Sequence, residues 1–245
     1  MKLLSIILPT YNEAENIVPL IKKIQSVVKV RKEIIVVDDN SPDGTAQLVS
    51  EYKKKSKEVR LLVRKKERGL TNSIRDGVRT AKGDVVIWMD CDFSHPPQMI
   101  NKLLRKIEEG YDIAVCSRFV SGGGFKGKEE ESPLAIGLSR LMNYSIRFIL
   151  VRQFRDYTSG FVAVRKDVFK KVALRGDYGE YFIDFIYKAY AHKYSIVEIP
   201  FLNMPRAKGV SKTGSNLYEY LSRGKKYMII SCQLIIEKHI LHKIP

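Results

Sequence analysis

Two aspartates separated by one residue, Asp90 and Asp92, are the feature of this sequence that points most directly to chemistry. They follow Val85–Met89, an apolar run of strand length, so both carboxylates would stand at the end of a buried strand. Carboxylate oxygens are hard ligands that favour Mg²⁺ or Mn²⁺ over Zn²⁺, and such an ion usually also holds substrate phosphates. The pair therefore predicts a divalent-cation site, although an aspartate here can also simply cap a turn.

A second acidic pair, Asp38-Asp39, ends another apolar run, Ile34–Val37. Carboxylates crowded at neighbouring strand ends repel one another unless a cation or hydrogen bonds compensate. Ser41–Thr45 has the composition of a turn and helix cap, which explains the residues after the pair but not the pair itself. Asp39 or Asp43 could instead accept hydrogen bonds from a ribose or a base.

A regular alternation of strands and helices would position these residues. Continuous apolar strands separated by helical periodicity indicate an α/β fold, with a mostly parallel, Rossmann-like sheet covered by helices on both faces. Asn12, with Glu15 three residues later, has the spacing of a capping box before the first helix. Ligands bind beyond the carboxyl ends of parallel strands. The polar residues expected to converge there are Pro9–Glu13, Asp38–Asp43, Asp90–Ser94 and Arg118.

The composition is that of a globular protein with a strong positive charge. The 245 residues include 43 Lys+Arg and 27 Asp+Glu, a formal charge of +16, and 44% are hydrophobic, which excludes a disordered or low-complexity chain. The charge indicates an anionic partner: nucleic acid, a membrane surface or phosphorylated small molecules. Three scattered cysteines do not form a disulfide framework, and favour a cytoplasmic location with reduced thiols.

The carboxyl-terminal segment has a different pattern from the rest. We expect a catalytic domain over residues 1–213 and an amphipathic helical appendage, made of several helices, over 214–245. The longest apolar stretch, Tyr227–Ile236, is shorter than the roughly 20 residues that span a bilayer, so we expect no spanning helix. Leu217, Tyr220, Leu221 and Met228 share one helical face near basic residues, a pattern typical of a helix at a membrane interface. Packing on the protein's own core and a dimer contact are the alternatives.

Six motifs in a fixed order carry a family resemblance. They are LPTYNEAENI (8–17), VVDDNSPDGT (36–45), DCDFSHPP (90–97), SR (117–118), DYTSGF (156–161) and R-x-x-G-x-S-K (206–212). In this combination the chain resembles glycosyltransferase family 2 and, within it, the dolichol-phosphate mannose synthases. The resemblance covers about residues 3–212.

The resemblance implies the GT-A fold of nucleotide-sugar-binding enzymes and a set of site residues. The nucleotide-sugar site would include Pro9, Tyr11, Glu13, Asp38, Asp39, Asp90, Ser159 and Asp184. Mg²⁺ or Mn²⁺ would be held by Asp90, Asp92 and Ser94. Asp92, Arg118, Arg206 and Lys212 would act at the phosphates and are the expected catalytic residues.

The chemistry of such a transfer can also be argued from the residues. A leaving diphosphate must have its charge neutralised, which a metal ion and Arg or Lys provide. An acceptor phosphate monoester is already an anion near pH 7, because its second pKa is about 6, so no general base is needed. The site must instead bring two anions together, for which Arg118, Arg206, Lys208 and Lys212 could supply cations. Direct attack on the sugar would invert its anomeric configuration.

We therefore expect transfer of mannose from GDP-mannose to dolichyl or another polyprenyl phosphate, a step of protein glycosylation. The protein would lie peripherally on the cytoplasmic face of a membrane, with a possible membrane-anchoring subunit and no nucleic-acid partner. Transfer of glucose or another sugar from a UDP-sugar is one alternative. A basic nucleic-acid-binding protein is another, which the acidic crevice and the lack of a recognisable binding module disfavour.

Overall fold

The computed structural model describes residues 2–65, 67–126, 133–209, 217–240 and Ile244, with the backbone alone over 133–136 and 217–223. The strands are β1 (Leu4–Thr10), β2 (Lys32–Asp38), β3 (Val59–Val63), β4 (Val85–Trp88), β5 (Ile113–Ser117), β6 (Gly124–Phe125), β7 (Val162–Arg165), β8 (Ile196–Pro200) and β9 (Leu202–Asn203). The helices are α1 (Ala14–Val27), α2 (Thr45–Lys53), α3 (Leu70–Thr80), α4 (Met99–Glu108), α5 (Pro133–Ile149), α6 (Glu180–Ala191) and α7 (Leu217–His239), with a 3₁₀ segment at Lys166–Lys170.

Seven strands form one sheet in the order β3-β2-β1-β4-β7-β5-β8. All neighbours pair in parallel except β7, which is antiparallel to both β4 and β5. The other six strands therefore end at one edge of the sheet, and the loop that precedes β7 lies at that same edge. This architecture confirms the predicted mostly parallel α/β sheet. The antiparallel strand and the small β6-β9 sheet are features that the sequence did not reveal.

Each face of the sheet has its own hydrophobic core, because successive side chains of a strand point to opposite faces. In β1, Leu4, Ile6 and Leu8 join the core formed with α1, α2 and α4, whereas Ile7 joins the core formed with α3, α5, α6 and α7. Trp88 lies in the second core and donates from Nε1 to the Tyr181 hydroxyl at 2.8 Å. The cores thus hold β1 and β4 rigidly, and their ends carry the candidate site residues.

A buried polar network ties the strands together at the opposite edge. Glu33 accepts hydrogen bonds from the Ser5 hydroxyl at 2.6 Å and from the Lys82 amide at 2.6 Å, and it pairs with Arg60 at 2.6 Å. Burial alone would raise the pKa of Glu33, but the Ser5, Lys82 and Arg60 hydrogen bonds outweigh it and lower the pKa. The network fixes the entry to β1, β2 and β4.

The first helix begins differently from the prediction. Asn12 adopts a left-handed conformation with φ 55°, and α1 begins two residues later, at Ala14. The Ala14 amide donates to Asp43 Oδ2 at 3.0 Å, so the cap comes from the neighbouring loop. The prediction of an Asn12–Glu15 capping box was therefore wrong, while the assignment of Ser41–Thr45 to a turn and cap is confirmed.

The carboxyl-terminal region forms a single helix, α7, within the described residues, rather than several helices. The expected boundary at residue 213 falls in 210–216, outside the described residues. Tyr227 and Leu234 of α7 are buried in the core with α6, so one face of the helix packs on the protein itself. None of the helices in the described part of the chain has both the length and the apolar character that crossing a bilayer requires.

Candidate active site

The loop that follows β4 presents two aspartates in different surroundings. Asp92 is buried, and its Oδ1 accepts hydrogen bonds from the Ser94 amide at 2.9 Å and the Ser94 hydroxyl at 2.6 Å. The Asp90 side chain is 53% exposed. Phe93, which follows Asp92, adopts a left-handed conformation with φ 67°, which is rare for a bulky residue. The predicted ligand set is thus gathered on one tight loop.

A single guanidinium joins this loop to the end of β1. Arg206 lies 2.8 Å from Asp92 Oδ2 and 3.1 Å from Glu13 Oε1. The Ala207 amide also donates to the Asp92 carbonyl at 2.9 Å, and the Lys208 carbonyl accepts from Asn16 at 3.1 Å. The loop after β9 therefore crosses the carboxyl edge of the sheet and carries a cation into the acidic crevice.

The ionisation of the two aspartates differs because their partners differ. Although about half of the Asp90 side chain is exposed, the loss of solvation from the protein packed around it raises the pKa of this carboxyl, and the nearby Asp92 carboxylate adds to the effect. Burial would also raise the pKa of Asp92, but the Ser94 hydrogen bonds and the Arg206 charge outweigh it, and the pKa is lowered. Asp92 is therefore an anion with its compensating groups in place.

The acidic pair after β2 divides into two roles. Asp38 is fully buried and accepts from the Thr10 hydroxyl at 3.0 Å and the Ser41 hydroxyl at 2.6 Å. Asp39 forms an ion pair with Arg64 and accepts from the Gly69 amide at 2.9 Å and the Ser73 hydroxyl at 2.8 Å. Asp38 thus holds the loop, while Asp39 is oriented by groups that follow β3.

The end of β1 meets both acidic loops. The Pro9 carbonyl accepts a hydrogen bond from the Cys91 thiol at 3.3 Å, which places Pro9 beside the loop that follows β4. Tyr11 receives a hydrogen bond from Arg68 at 2.7 Å, and the Arg68 guanidinium lies 4.6 Å from the centroid of the Tyr11 ring. An aromatic ring and a guanidinium so arranged can both stack on a flat heterocycle.

Arg118, after β5, belongs to a second charged network. Its Nε and Nη2 donate to the two oxygens of buried Asp156 at 2.9 and 2.7 Å, and Nη2 also donates to the Thr158 hydroxyl at 2.8 Å. Its guanidinium lies 5.3 and 5.4 Å from the ring centroids of Phe119 and Phe125. The cation is therefore held in one orientation, and much of its donor capacity is directed at Asp156.

Three further predicted residues have varied positions. Ser159 donates to the Cys116 carbonyl and supports the turn that enters β7. Asp184 is buried in α6 and forms an ion pair with Lys188, which also lies 3.6 Å from Glu237 of α7. Burial raises the pKa of Asp184 although Lys188 opposes it, and its Oδ2 has no hydrogen-bond partner among the described residues. Lys212 lies outside the described residues.

The oxygen atoms of Asp90, Asp92 and Ser94 suit a hard divalent cation only if a bound diphosphate supplies further ligands. Within the described ranges, no cluster of three or more His, Cys, Asp or Glu side chains could hold a metal ion. Asp90 and Asp92 offer carboxylate oxygens and Ser94 a hydroxyl, the type of donors that Mg²⁺ and Mn²⁺ accept together with water and phosphate oxygens. The residues thus fit an ion that arrives with, or is completed by, a diphosphate.

Three residues at the site were not singled out from the sequence. Arg64 directly follows β3, so the strand-end reasoning that selected Arg118 could have found it. Asp156 lay within the DYTSGF motif. Glu198 is a charged residue inside the short strand β8, and it accepts from the Arg155 and Asp156 amides at 2.8 and 2.9 Å. Glu198 thereby fixes the loop whose aspartate orients Arg118.

Comparison with known sequences identifies one family and two named relatives that are similar to this chain. A family model described as Glycosyl transferase family 2 matches residues 5–173. Dolichol-phosphate mannosyltransferase of Pyrococcus furiosus is 39% identical over 223 residues, which are 89% of this chain and 61% of that protein. Polyprenol monophosphomannose synthase of Mycolicibacterium smegmatis is 34% identical over 222 residues, which are 87% of this chain and 82% of that protein. The chain thus spans about three fifths of the length of the first relative.

Solved structures show the same architecture at lower identity. Glucosyl-3-phosphoglycerate synthase from Mycobacterium tuberculosis, in complex with Mn²⁺, UDP and phosphoglyceric acid, has a TM-score of 0.70 and 17% identity, covering 96% of this chain and 78% of that one. The same enzyme with Mg²⁺ and UDP has a TM-score of 0.68 and 18% identity, covering 100% and 80%. This likeness establishes a shared GT-A-like fold.

Proposed function

Because the chain belongs to glycosyl transferase family 2, we propose that it transfers mannose from GDP-mannose to dolichyl or another polyprenyl phosphate. The names of its two relatives support this choice of sugar and acceptor, since both are mannosyl-transferring enzymes of polyprenyl or dolichyl phosphate. Attack by the acceptor phosphate on the anomeric carbon inverts the configuration and gives a β-linked mannosyl phosphate. The diphosphate nucleotide leaves from the opposite side.

One observation carries the proposal: Arg206 reaches Asp92 Oδ2 at 2.8 Å, at the carboxyl edge where parallel sheets bind ligands. Carboxylates that suit a cation and a guanidinium that suits phosphate are thereby brought into one crevice. A nucleoside diphosphate needs both, because its phosphates are held through a divalent ion and through fixed positive side chains. An enzyme that transfers a sugar to a hydroxyl group would also need a general base beside that hydroxyl.

The residues divide between the two substrates. Tyr11 and Asp39 face the nucleoside, with Arg64 and Ser73 holding the Asp39 carboxylate in place. Asp90, Asp92 and Ser94 would hold Mg²⁺ or Mn²⁺, which when bound neutralises diphosphate charge. Glu13 and Asp38 support the loops around them. The family resemblance would assign Ser159 and Asp184 to the sugar side, where Ser159 is held by the Cys116 carbonyl and Asp184 by Lys188.

The acceptor phosphate requires cations that the donor does not already occupy. Arg118 is anchored by Asp156, which leaves its orientation fixed before the acceptor arrives. Arg206 lies between the loops that follow β4 and β1, and Lys212 follows it in the sequence. These positive groups lower the repulsion between two anionic substrates, and such preorganised charge costs no reorganisation during the reaction.

The lipid acceptor also requires contact with a membrane. Leu141, Tyr144 and Phe148 recur at helical spacing on α5, and each is more than 60% exposed. Ile229, Ile236 and Ile240 are exposed on and just after α7, and the exposed Lys225 and Lys226 precede Ile229 by about one helical turn. Apolar side chains beside basic ones suit the surface of anionic lipid. The protein would bind peripherally to the cytoplasmic face, alone or with a membrane-anchoring subunit.

A transfer assay tests the proposal. The protein, with Mn²⁺ or Mg²⁺, would be incubated with polyprenyl phosphate and with labelled GDP-mannose, UDP-glucose or UDP-galactose in parallel. Label should enter the organic phase from GDP-mannose only, and EDTA should abolish the transfer until the ion is restored. Label from a UDP-sugar alone would replace mannose with another sugar. No transfer from any donor would overturn the proposal.

A further inference from the structure

His95 lies under the loop that carries the two aspartates and contacts its main chain. Its Nδ1 accepts a hydrogen bond from the Asp90 amide at 3.0 Å. An N–H group can only donate, so Nδ1 carries no proton and the proton of the neutral ring is on Nε2. Nε2 lies 3.8 Å from Asp90 Oδ2, beyond hydrogen-bond length. His95 therefore fixes the Asp90 peptide rather than the Asp90 carboxylate.

The imidazole itself is held by two aromatic rings. Phe161, which precedes β7, stacks on it with centroids 4.8 Å apart and an interplanar angle of 10°. Phe201, which follows β8, packs edge-on with centroids 5.7 Å apart at 77°. His95 is only 3% exposed, so the ring cannot turn without displacing residues of the core. The acceptor atom is thus a fixed point.

The loop that carries Asp90 and Asp92 needs a fixed hydrogen-bond acceptor of this kind. Phe93 has a left-handed backbone, a costly conformation that persists only where the surroundings impose it. The far side of the loop is held by the Ser94 bonds to Asp92 and by the Met204 amide, which donates to the Ser94 carbonyl at 2.9 Å. At the Asp90 end of the loop, the side chain is half exposed. The direction of the Asp90 side chain therefore depends on its main chain, whose amide His95 holds.

We propose that His95 is a positioning residue, which sets the direction of the Asp90 carboxylate relative to Asp92 and thereby the affinity of the site for a divalent cation. The inference rests on the proposed ion site. Both carboxylates must meet one ion, and residues that orient metal ligands through hydrogen bonds typically change metal affinity by about 10- to 100-fold. His95 itself does not bind the ion, because Nδ1 is occupied and the ring is enclosed.

Two substitutions separate the hydrogen bond from the packing. His95→Phe keeps a ring against Phe161 but removes the acceptor, whereas His95→Asn places an amide oxygen near the position of Nδ1. Binding of Mn²⁺, alone and with GDP, would be followed by the EPR signal of the free ion, alongside Tm. We expect His95→Phe to weaken Mn²⁺ binding about 10-fold or more. His95→Asn should stay within a few-fold of the unmodified protein.

The kinetic readout should follow the same split. At saturating Mn²⁺ the kcat of His95→Phe should largely recover, so that the change lies in the Mn²⁺ concentration required. Should His95→Phe fail to fold, Phe161→Leu, which loosens the ring without removing it, should give an intermediate loss of Mn²⁺ affinity. In the unmodified protein, ¹⁵N NMR should show the Nε2–H tautomer of His95.

The outcomes distinguish this inference from the proposed function. If the unmodified protein and Asp92→Ala both fail to bind Mn²⁺ in the presence of GDP, the ion site itself is refuted, and the inference with it. If the unmodified protein binds Mn²⁺ and folded His95→Phe binds it equally well, only the role of His95 is refuted. Equal losses in His95→Asn and His95→Phe, or an Nδ1–H tautomer, would refute it as well.

Discussion

The Arg206 guanidinium joins Asp92 at 2.8 Å and Glu13 at 3.1 Å, so one cation connects the loops that follow β4 and β1. Both carboxylates are largely buried. Removal of one partner from a buried ion pair leaves uncompensated charge, which is more costly than the loss of an exposed pair. Arg206 therefore affects both the shape of the crevice and its charge.

Arg206→Lys should lower kcat by roughly 100-fold, because a lysine ammonium is a point charge without the planar fork by which Arg206 reaches Glu13 and Asp92 through separate nitrogens. Arg206→Ala should lower it further. Steady-state transfer rates at saturating donor would measure both effects. Arg31→Lys, an exposed arginine at the other edge of the sheet, is the matched control. Wild-type turnover in Arg206→Lys would contradict a role for the bidentate guanidinium.

Asp156→Asn should raise the KM for the acceptor phosphate about 10-fold, with a smaller effect on GDP-mannose. The amide has one acceptor oxygen instead of two, so it cannot receive the paired hydrogen bonds that Arg118 Nε and Nη2 donate to the two carboxylate oxygens, and the guanidinium loses its fixed orientation. Initial rates with each substrate varied in turn would separate the two KM values. Asp167→Asn serves as the control, since Asp167 is exposed at the opposite edge. An increase confined to the donor KM would place Arg118 at the nucleotide instead.

Arg64→Ala should weaken GDP binding by roughly 10-fold, about 1.4 kcal/mol, because Asp39 loses its ion pair. Ser73→Ala removes a single neutral donor and should have a smaller effect in the same direction. Calorimetric titration with GDP would measure both. Arg79→Ala, on the exposed face of α3, should bind GDP normally. Unchanged GDP affinity in Arg64→Ala would show that Asp39 does not depend on it.

Glu33→Gln should destabilise the fold by about 1–3 kcal/mol at pH 7, since it loses charged hydrogen bonds with Arg60, Ser5 and Lys82. The folded pKa of Glu33 lies below its ordinary value of 4.5, so its contribution is present above pH 4.5 and is lost as pH falls through the folded pKa. Urea unfolding between pH 7 and pH 3 should show the two proteins converge at low pH. Glu108→Gln, on an exposed site, should follow the unmodified protein, and a constant gap for Glu33→Gln would argue against the lowered pKa.

Replacement of Leu141, Tyr144 and Phe148 by serine should reduce flotation with anionic vesicles about 10-fold or more, because three exposed apolar side chains no longer enter the interface. GDP binding should be unchanged, since all three side chains are exposed and none is among the site residues described above. Leu48→Ser, an exposed leucine on α2, is the matched control. Equal flotation of the triple variant and the control would exclude α5 from the membrane surface.

The strand ends could be predicted because their signal is local. Each buried strand is a continuous apolar run, and the polar residues that follow it must lie at the carboxyl edge of a parallel sheet, as Asp39 and Asp92 do. Partners supplied by distant loops could not be predicted in this way. Asp43 caps α1 in place of Asn12, and Asp156 anchors Arg118, because these pairings depend on how two loops meet in space.

The direction of β7 was also beyond the sequence. Its residues form an apolar run like those of the parallel strands, and nothing in Val162–Arg165 distinguishes an antiparallel partner. The packing of aromatic rings around His95 was unpredictable for the same reason. Phe161 directly precedes β7 and Phe201 directly follows β8, and the two rings meet at His95 only because β7 is antiparallel. Only the three-dimensional neighbourhood shows which peptide group this histidine supports, namely that of Asp90.

The reversed strand β7 has a consequence for how the enzyme can diversify. Because β7 is antiparallel, its first residue rather than its last lies at the carboxyl edge of the sheet. The loop around Asp156 therefore belongs to the connection between α5 and β7, which is separate from the loops that follow β1, β2 and β4. Under the proposed function, the preference for the acceptor phosphate can change with that connection while the nucleotide half stays intact. A chimaera that exchanges residues 150–161 with those of a relative should then change its acceptor preference and keep its donor, which initial rates with each substrate would measure.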